Sequence, residues 1–296
     1  MADPLAGVAG WPVTAAVAVV GPGGTLQAVG DLERPRPWAS VTKLLTAMSV
    51  LVAVEEGSLG LDDPAGPPGS SVAHLLAHAS GLGPGSPRAI TPPATRRIYS
   101  NYGFEILGQV LETATGMPFA DYLREATLEP LGMASTSFAG SPASGAHGPL
   151  GDLARLGAEL LSPTLLSPAT MSLATSVAFP HLDGVLPGYG PQRPNDWGLG
   201  FEIRSGKDPH WTGRTCSAGT FGHFGRSGSF LWVDPVAGVA CVELADQPWG
   251  PWALDAWPPL ADAVISAFGR GASTDGSRPP DAGGRRPPAI TYRLRR

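Results

Sequence analysis

Ser40 and Lys43, three positions apart in WASVTKLLTAM, are residue types that together can form a nucleophile and its base. On a helix, positions i and i+3 share a face, so the ammonium can reach the hydroxyl. A helix N-terminus adds positive potential that favours a developing alkoxide. Such a pair works only when the lysine gives up its proton, which requires burial or a nearby cation to bring its pKa towards about 7–8. Taken alone the tetrapeptide is a weak signal, because serine is a preferred helix cap and Ser-x-x-Lys arises by chance in many chains. Composition strengthens it: the chain has two lysines, Lys43 and Lys207, beside eighteen arginines. A lysine kept in an arginine-using chain points to a need for deprotonation, which arginine does not meet.

Two further stretches carry chemistry. In IYSNYGFEILGQVLE, Tyr99 and Asn101 precede a helical pattern. A tyrosine beside a lysine serves as general acid or base, and an asparagine amide holds a substrate carbonyl or the lysine itself. Read without the lysine, Asn101 is a helix N-cap and Tyr99 a core aromatic. In FGHFGRSGSFLWVDP, His223-Phe224-Gly225 falls on an expected strand. Glycine there lets the backbone approach a ligand and supply one half of an oxyanion hole, the Ser40 N–H supplying the other; the plain alternative is a bend with a packed histidine. His74 and His78 have the i, i+4 spacing of a metal pair, but no third ligand accompanies them. No metal or other cofactor is expected, and His78 is expected to hold the ASGL turn by hydrogen bonds.

The elements that must position these residues follow from periodicity. Val13–Val20, a GPGG turn and Thr25–Val29 form a hairpin. From Ser40, apolar residues recur at helical spacing to a stop at Gly57. Helical patterns return at Ser71–His78, Tyr102–Thr115, Pro118–Leu128 and Asp152–Leu161. After Trp197 come short strand-like runs at Gly198–Arg204, Thr220–Phe224, Ser229–Val233 and Gly238–Leu244, then an amphipathic helix at Trp252–Phe268. The expected fold is α+β: an antiparallel sheet built from N- and C-terminal strands and flanked by helices, with an inserted mostly helical lobe. Residues 1–60 and 195–270 form the sheet-bearing lobe, residues 61–194 the helical lobe, and residues 271–296 a basic Pro/Gly-rich tail expected to be disordered.

At 296 residues, 43% hydrophobic and 15% charged, the chain can bury a large core. Its net charge of −5 gives no reason to expect a nucleic-acid partner. Cys216 and Cys241 have no scaffold or metal spacing and are expected to be free thiols. The N-terminal apolar run lacks a basic region before it, so no export signal or membrane span is expected and the location is read as cytoplasmic.

The three motifs in this order resemble the serine β-lactamase and penicillin-binding-protein superfamily, in its class C β-lactamase, DD-peptidase and esterase branch. LDDP (61–64), HLLAHASGL (74–82), EPLGM (129–133), DLARL (152–156), LLSPATM (165–171) and WGLGF (197–201) fit as well, and the resemblance runs from Val13 to Phe268. It implies a β-lactamase/transpeptidase-like fold and a metal-free acyl-enzyme mechanism. Ser40 is then the acylated nucleophile, Lys43 its proton acceptor or electrostatic activator, and Tyr99 the group that moves protons from serine and later from water. Asn101 positions the substrate, His223-Phe224-Gly225 matches the third motif, and the Arg226 N–H joins that of Ser40 around the oxyanion. Which of Lys43 and Tyr99 is the acylation base stays open at this point.

The sequence departs from that family at Phe224, where a Thr or Ser hydroxyl commonly helps bind a substrate carboxylate, and at His223, a weaker source of positive charge than lysine. Arg226 and Arg214 are the cations placed to replace it. The short interval Gly83–Ile98 and the aromatics Trp197, Trp211 and Phe224 point to a shallow, apolar cleft. The expected activity is hydrolysis of small-molecule carboxylic esters or amides, esters first. β-Lactam hydrolysis, D-amino-acid or DD-peptidase activity, acyl transfer and a non-turnover penicillin-binding sensor are the alternatives.

Overall fold

The structure, a computed structural model, describes residues 3–269. The tail expected over residues 271–296 lies outside the described residues. A run of small and β-branched residues makes β1 (Ala15–Gly21), which turns back as β2 (Gly24–Val29). After β3 (Arg36–Pro37), a 3-10 turn at Ala39–Val41 runs directly into α1 (Thr42–Glu55). Next come α2 (Val72–Leu76), α3 (Asn101–Thr115) and α4 (Phe119–Leu123), the last continued by a π-helical turn at Arg124–Leu128. Then follow β4 (Ser137–Phe138), β5 (Ala146–Gly148), α5 (Leu150–Leu161) and α6 (Pro168–Ala174). The chain closes with the hairpin β6 (Gly184–Leu186) and β7 (Gly190–Gln192), strands β8 (Glu202–Ile203), β9 (Phe221–Gly225), β10 (Ser229–Asp234) and β11 (Val239–Ala245), and α7 (Pro251–Phe268).

The central sheet has six strands in the order β2-β1-β11-β10-β9-β8, paired antiparallel throughout. Strand alternation sorts its side chains into two cores. Ala16, Ala18 and Val20 of β1, with Val242 and Leu244 of β11, share one core with α1 and α5. Val17 and Val19, with Cys241, Phe230 and Trp232, share the other with Trp257 and Val264 of α7. Every residue of β1, β10 and β11 is therefore buried, although the sheet is antiparallel. At 25 cal/mol per Å², such two-sided burial is the main force that holds the sheet as a rigid support for the site.

The expected α+β arrangement, with a sheet drawn from both ends of the chain, is the observed one. One helix of the 61–194 segment, α5, packs on β1 and β11 and so lies in the sheet layer. The helix expected over Ser71–His78 stops at Leu76, because His78 takes a left-handed φ of 53°. The small sheet β3-β5-β4, the hairpin β6–β7 and helix α6 are additions to the expected elements: strands of two or three residues carry no measurable period, and α6, at seven residues, is shorter than the windows that establish a helical one. Among the described residues no helix is long and apolar enough to cross a membrane. Cys216 and Cys241 are free and buried.

Candidate active site

Ser40 sits in the 3-10 turn that starts α1, and its side chain caps nothing. The turn is held tightly from behind. Ala39 has a φ of 45°, a strained value for a residue with a side chain, directly before the serine. The Ser229 hydroxyl donates to Trp38 O at 2.8 Å. Gly225 closes the last strand position against the same turn: a Cβ there would come to 2.5 Å from Trp38 O and 3.2 Å from Ala39 Cβ. Glycine thus lets β9 and the Ser40 turn touch, which brings Arg226 next to the serine. Among the described residues, neither the Ser40 nor the Arg226 backbone N–H is donated to another protein group.

Ser40 Oγ accepts the Tyr99 hydroxyl at 2.8 Å and Lys43 Nζ at 3.2 Å. Lys43 is wholly buried, and its Nζ also donates to Asn101 Oδ1 at 2.8 Å and Ala143 O at 2.9 Å. Those acceptors are uncharged. Loss of water brings the lysine down to about 7, with the Glu105 carboxylate opposing the shift. Burial pushes the Tyr99 phenol well above its ordinary value, while its bond to Ser40 works the other way. At neutral pH the lysine can therefore accept a proton, and the phenol can only donate one.

The cap of α3 is Ser100, whose Oγ accepts the Gly103 N–H at 3.1 Å, so Asn101 is not the N-cap and its amide is free to bind Lys43. His78 Nδ1 accepts the Ser100 N–H at 3.1 Å, and its carbonyl accepts the Ile98 N–H. Its hydrogen bonds therefore secure the Ile98–Ser100 segment and not the ASGL turn that they were expected to hold, because the ring Nδ1 faces the Ser100 N–H. His74 bonds to Ser71 Oγ at 3.0 Å, and the two histidines share no helical face because α2 ends between them. Among the described residues there is no cluster of three or more His, Cys, Asp or Glu fit to hold a metal ion.

On β9, alternation sends His223 and Phe224 to opposite faces. His223 Nδ1–H donates to Phe224 O at 2.7 Å, which leaves Nε2 as a bare, buried lone pair beside the rings of Tyr99 and Trp197. Burial, reinforced by Lys43, brings this imidazole down to about 3, so it carries no positive charge at neutral pH. Phe224 packs among Tyr189, Trp211, Trp249 and Trp257, with ring centroids 5.5–6.0 Å away.

A cavity of about 490 Å³ opens over these groups, lined by Ser40, Tyr99, Asn101, His223, Phe224 and Arg226, with Trp197, Glu202, Trp249 and Leu186–Gly188 completing the wall. All eight residues expected at the site are thereby brought together: six line the cavity, and Lys43 and Gly225 lie directly behind. Trp211 does not line it; its ring backs Phe224 and its indole donates to Glu202 at 2.9 Å. Arg214 is exposed and stands outside the lining. The turn between β6 and β7 and Trp249 were missed. Gly188, at φ 81°, leaves the space that the Trp249 indole occupies. The Pro187-Gly188 pair between apolar residues is the turn signal that marks this hairpin.

Residues 9–263 match the family model of Beta-lactamase, and the chain belongs to that family. A beta-lactamase from Mycobacterium bovis is 53% identical, with 90% of this chain and 100% of that one superposed at a TM-score of 0.89, so the fold is β-lactamase/transpeptidase-like. EstCE1, a hydrolase with promiscuous acyltransferase activity, shares the fold at 18% identity, with 88% and 95% of the two chains covered and a TM-score of 0.72. The D-alanyl-D-alanine-carboxypeptidase/endopeptidase AmpH of Escherichia coli K12 is 28% identical over 141 residues. That match takes in 35% of this chain and 37% of the length of that enzyme.

Proposed function

We propose that the chain is a serine hydrolase that cleaves carboxylic esters through an acyl-enzyme on Ser40. The observation that carries this reading is the geometry at one oxygen: Ser40 Oγ meets a phenol at 2.8 Å and, at 3.2 Å, a buried lysine held near neutrality. Neutral Lys43 takes the Ser40 proton as Oγ attacks the carbonyl carbon. The Ser40 and Arg226 N–H groups receive the oxyanion; one such donor is typically worth about 10²–10³ in kcat. As the tetrahedral adduct collapses, the Tyr99 hydroxyl protonates the departing alkoxide and regains a proton from the Lys43 ammonium. Water then attacks the acyl carbon and gives a proton to the same pair; the bond to Ser40 Oγ breaks, that proton passes to Oγ, and the acid is released. Asn101 holds Lys43 and faces the substrate.

Ester preference rests on the third motif. Phe224 offers no hydroxyl, and a neutral His223 offers no charge, to a substrate carboxylate. Trp197, Phe224, Trp249 and Leu186 favour an apolar acyl group. β-Lactam hydrolysis is the second reading, favoured by 53% identity to a beta-lactamase.

Initial rates with p-nitrophenyl butyrate, beside Ser40→Ala and with nitrocefin in parallel, test the assignment. Ester turnover should exceed nitrocefin turnover and vanish in the folded variant. Wild-type rates in Ser40→Ala would remove Ser40 as the nucleophile. Stoichiometric acylation without turnover would favour a penicillin-binding sensor.

A further inference from the structure

Helix α3 presents a second residue to Lys43. Asn101 and Glu105 are four positions apart and so lie one above the other on one face of that helix. Asn101 binds the ammonium directly. Glu105, half-buried one turn further on, accepts the Ser141 hydroxyl, and Ser141 Oγ in turn accepts the Ala143 N–H at 3.0 Å. The Ala143 carbonyl is the acceptor that Lys43 Nζ meets at 2.9 Å. The same turn is tied to α1 a second time, where the Thr46 hydroxyl donates to Pro142 O at 2.6 Å. Two hydrogen bonds, from Glu105 through Ser141 to the Ala143 N–H, and the Ala143 backbone itself therefore link a carboxylate on α3 to the carbonyl that holds the proposed base.

The other groups around Lys43 do not share this role. Tyr99 from the segment before α3 is a phenol held protonated by burial. His78, beyond α2, and His223, on β9, are both lowered by burial and so face Lys43 as neutral rings. Ser40, Asn101 and the Ala143 carbonyl are uncharged acceptors. Glu105 is the carboxylate joined to Lys43 through Ser141 and Ala143, and its charge opposes the lowering of the lysine by burial.

We propose that Glu105 is a positioning residue for Lys43: through Ser141 it clamps the turn that offers the Ala143 carbonyl, and its negative charge holds the lysine proton. It sets the pH at which Lys43 becomes a base, against the burial that would otherwise carry this point lower. The inference rests on the proposed role of Lys43, yet it can be tested apart from turnover because the chain has only two lysines.

The test is a ¹³Cε-lysine NMR titration of the intact chain, in which two signals appear and Lys43→Met identifies one. Glu105→Gln keeps an acceptor for Ser141 and removes the charge. It should lower the Lys43 midpoint by about 0.5–1 pH unit, while Glu105→Asp keeps it near the wild-type value. The acidic limb of kcat/KM for p-nitrophenyl butyrate should move down with it. A purely structural acceptor would leave the midpoint in place in Glu105→Gln, and that result would overturn the proposal. A shifted midpoint in a protein that turns over no ester would uphold the link to Glu105 and reject the hydrolase reading.

Discussion

Both lysines of the chain lie out of water, and they face opposite surroundings. Lys43 is 0% and Lys207 3% exposed. Lys207 donates to the Glu202 carboxylate and to the carbonyls of Asp196 and Ile203, each carbonyl at 2.6 Å. Glu202 is saturated in turn by His210 Nε2–H and Trp211 Nε1–H, both at 2.9 Å. The Thr212 N–H donates to His210 Nδ1, which fixes the proton of that neutral ring on Nε2. Burial lowers both ammonium groups, but at Lys207 a carboxylate in direct contact resists the change. Burial without a contacting anion makes a base. Burial with one makes a strut, here supporting Trp197 at the wall of the cavity and Trp211 behind Phe224.

The largest effect should come from exchanging each lysine for methionine, with opposite signatures. Lys43→Met should lower ester kcat by about 10²–10⁴-fold and leave the protein folded. Its stability relative to wild type should depend on pH. Lys43 titrates at about 7 in the fold against an ordinary 10.5, so between these values the unfolded chain binds the extra proton. Wild-type stability therefore rises with pH across that window, by at most about 1.4 kcal/mol per pH unit, and the cost of the buried lysine is complete below it. Thermal melts at pH 6 and pH 9 should show the variant relatively more stable at pH 6; a constant difference would mean that Lys43 is not held near neutrality.

Lys207→Met should act on stability instead. It leaves the Glu202 carboxylate buried without its cation, which costs about 3–5 kcal/mol, measurable by urea denaturation. Glu202→Leu combined with Lys207→Met removes the unpaired charge and should recover much of that loss. If the double variant is no better than the single, the cluster does not behave as an ion pair. Because Trp211 loses its acceptor, KM should rise in the double variant more than kcat falls.

The contrast between the lysines was only half legible in the chain. Ser40-x-x-Lys43, Tyr99 and Asn101, and His223-Phe224-Gly225 stand in short contiguous motifs, and the two helices and one strand that carry or follow them announce themselves by period. The scarcity of lysine flagged both residues, but only Lys43 had a neighbour within helical reach. The partners that decide its character are remote: Ala143 is 100 positions from Lys43, and the pairing of Glu202 with Lys207 depends on how an irregular loop folds back. Glu105 reads as one more polar position on a helix until the 141–145 turn is seen against it. The β6–β7 wall escaped because its strands are three residues long.

A third buried ionisable group sharpens the comparison from the other side. Glu243 on β11 is 0% exposed in the core beneath α7, opposite Val17 and Phe230, and among the described residues neither of its oxygens has a hydrogen-bond partner. It has no cation, as Lys43 has no contacting anion, but it faces no cavity. Burial pushes its carboxyl well above the ordinary 4.5, so the folded chain holds a proton that the unfolded chain releases. Its stabilising share is complete below 4.5 and falls as pH rises towards the folded value. Glu243→Gln cannot ionise in either state, so its advantage over wild type should be near zero at pH 4 and grow through pH 7, by at most about 1.4 kcal/mol per pH unit. Ester kcat should stay as it was. Equal urea midpoints for the two proteins at both pH values would mean that Glu243 ionises inside the core, and then burial alone would not explain the neutrality of Lys43 either.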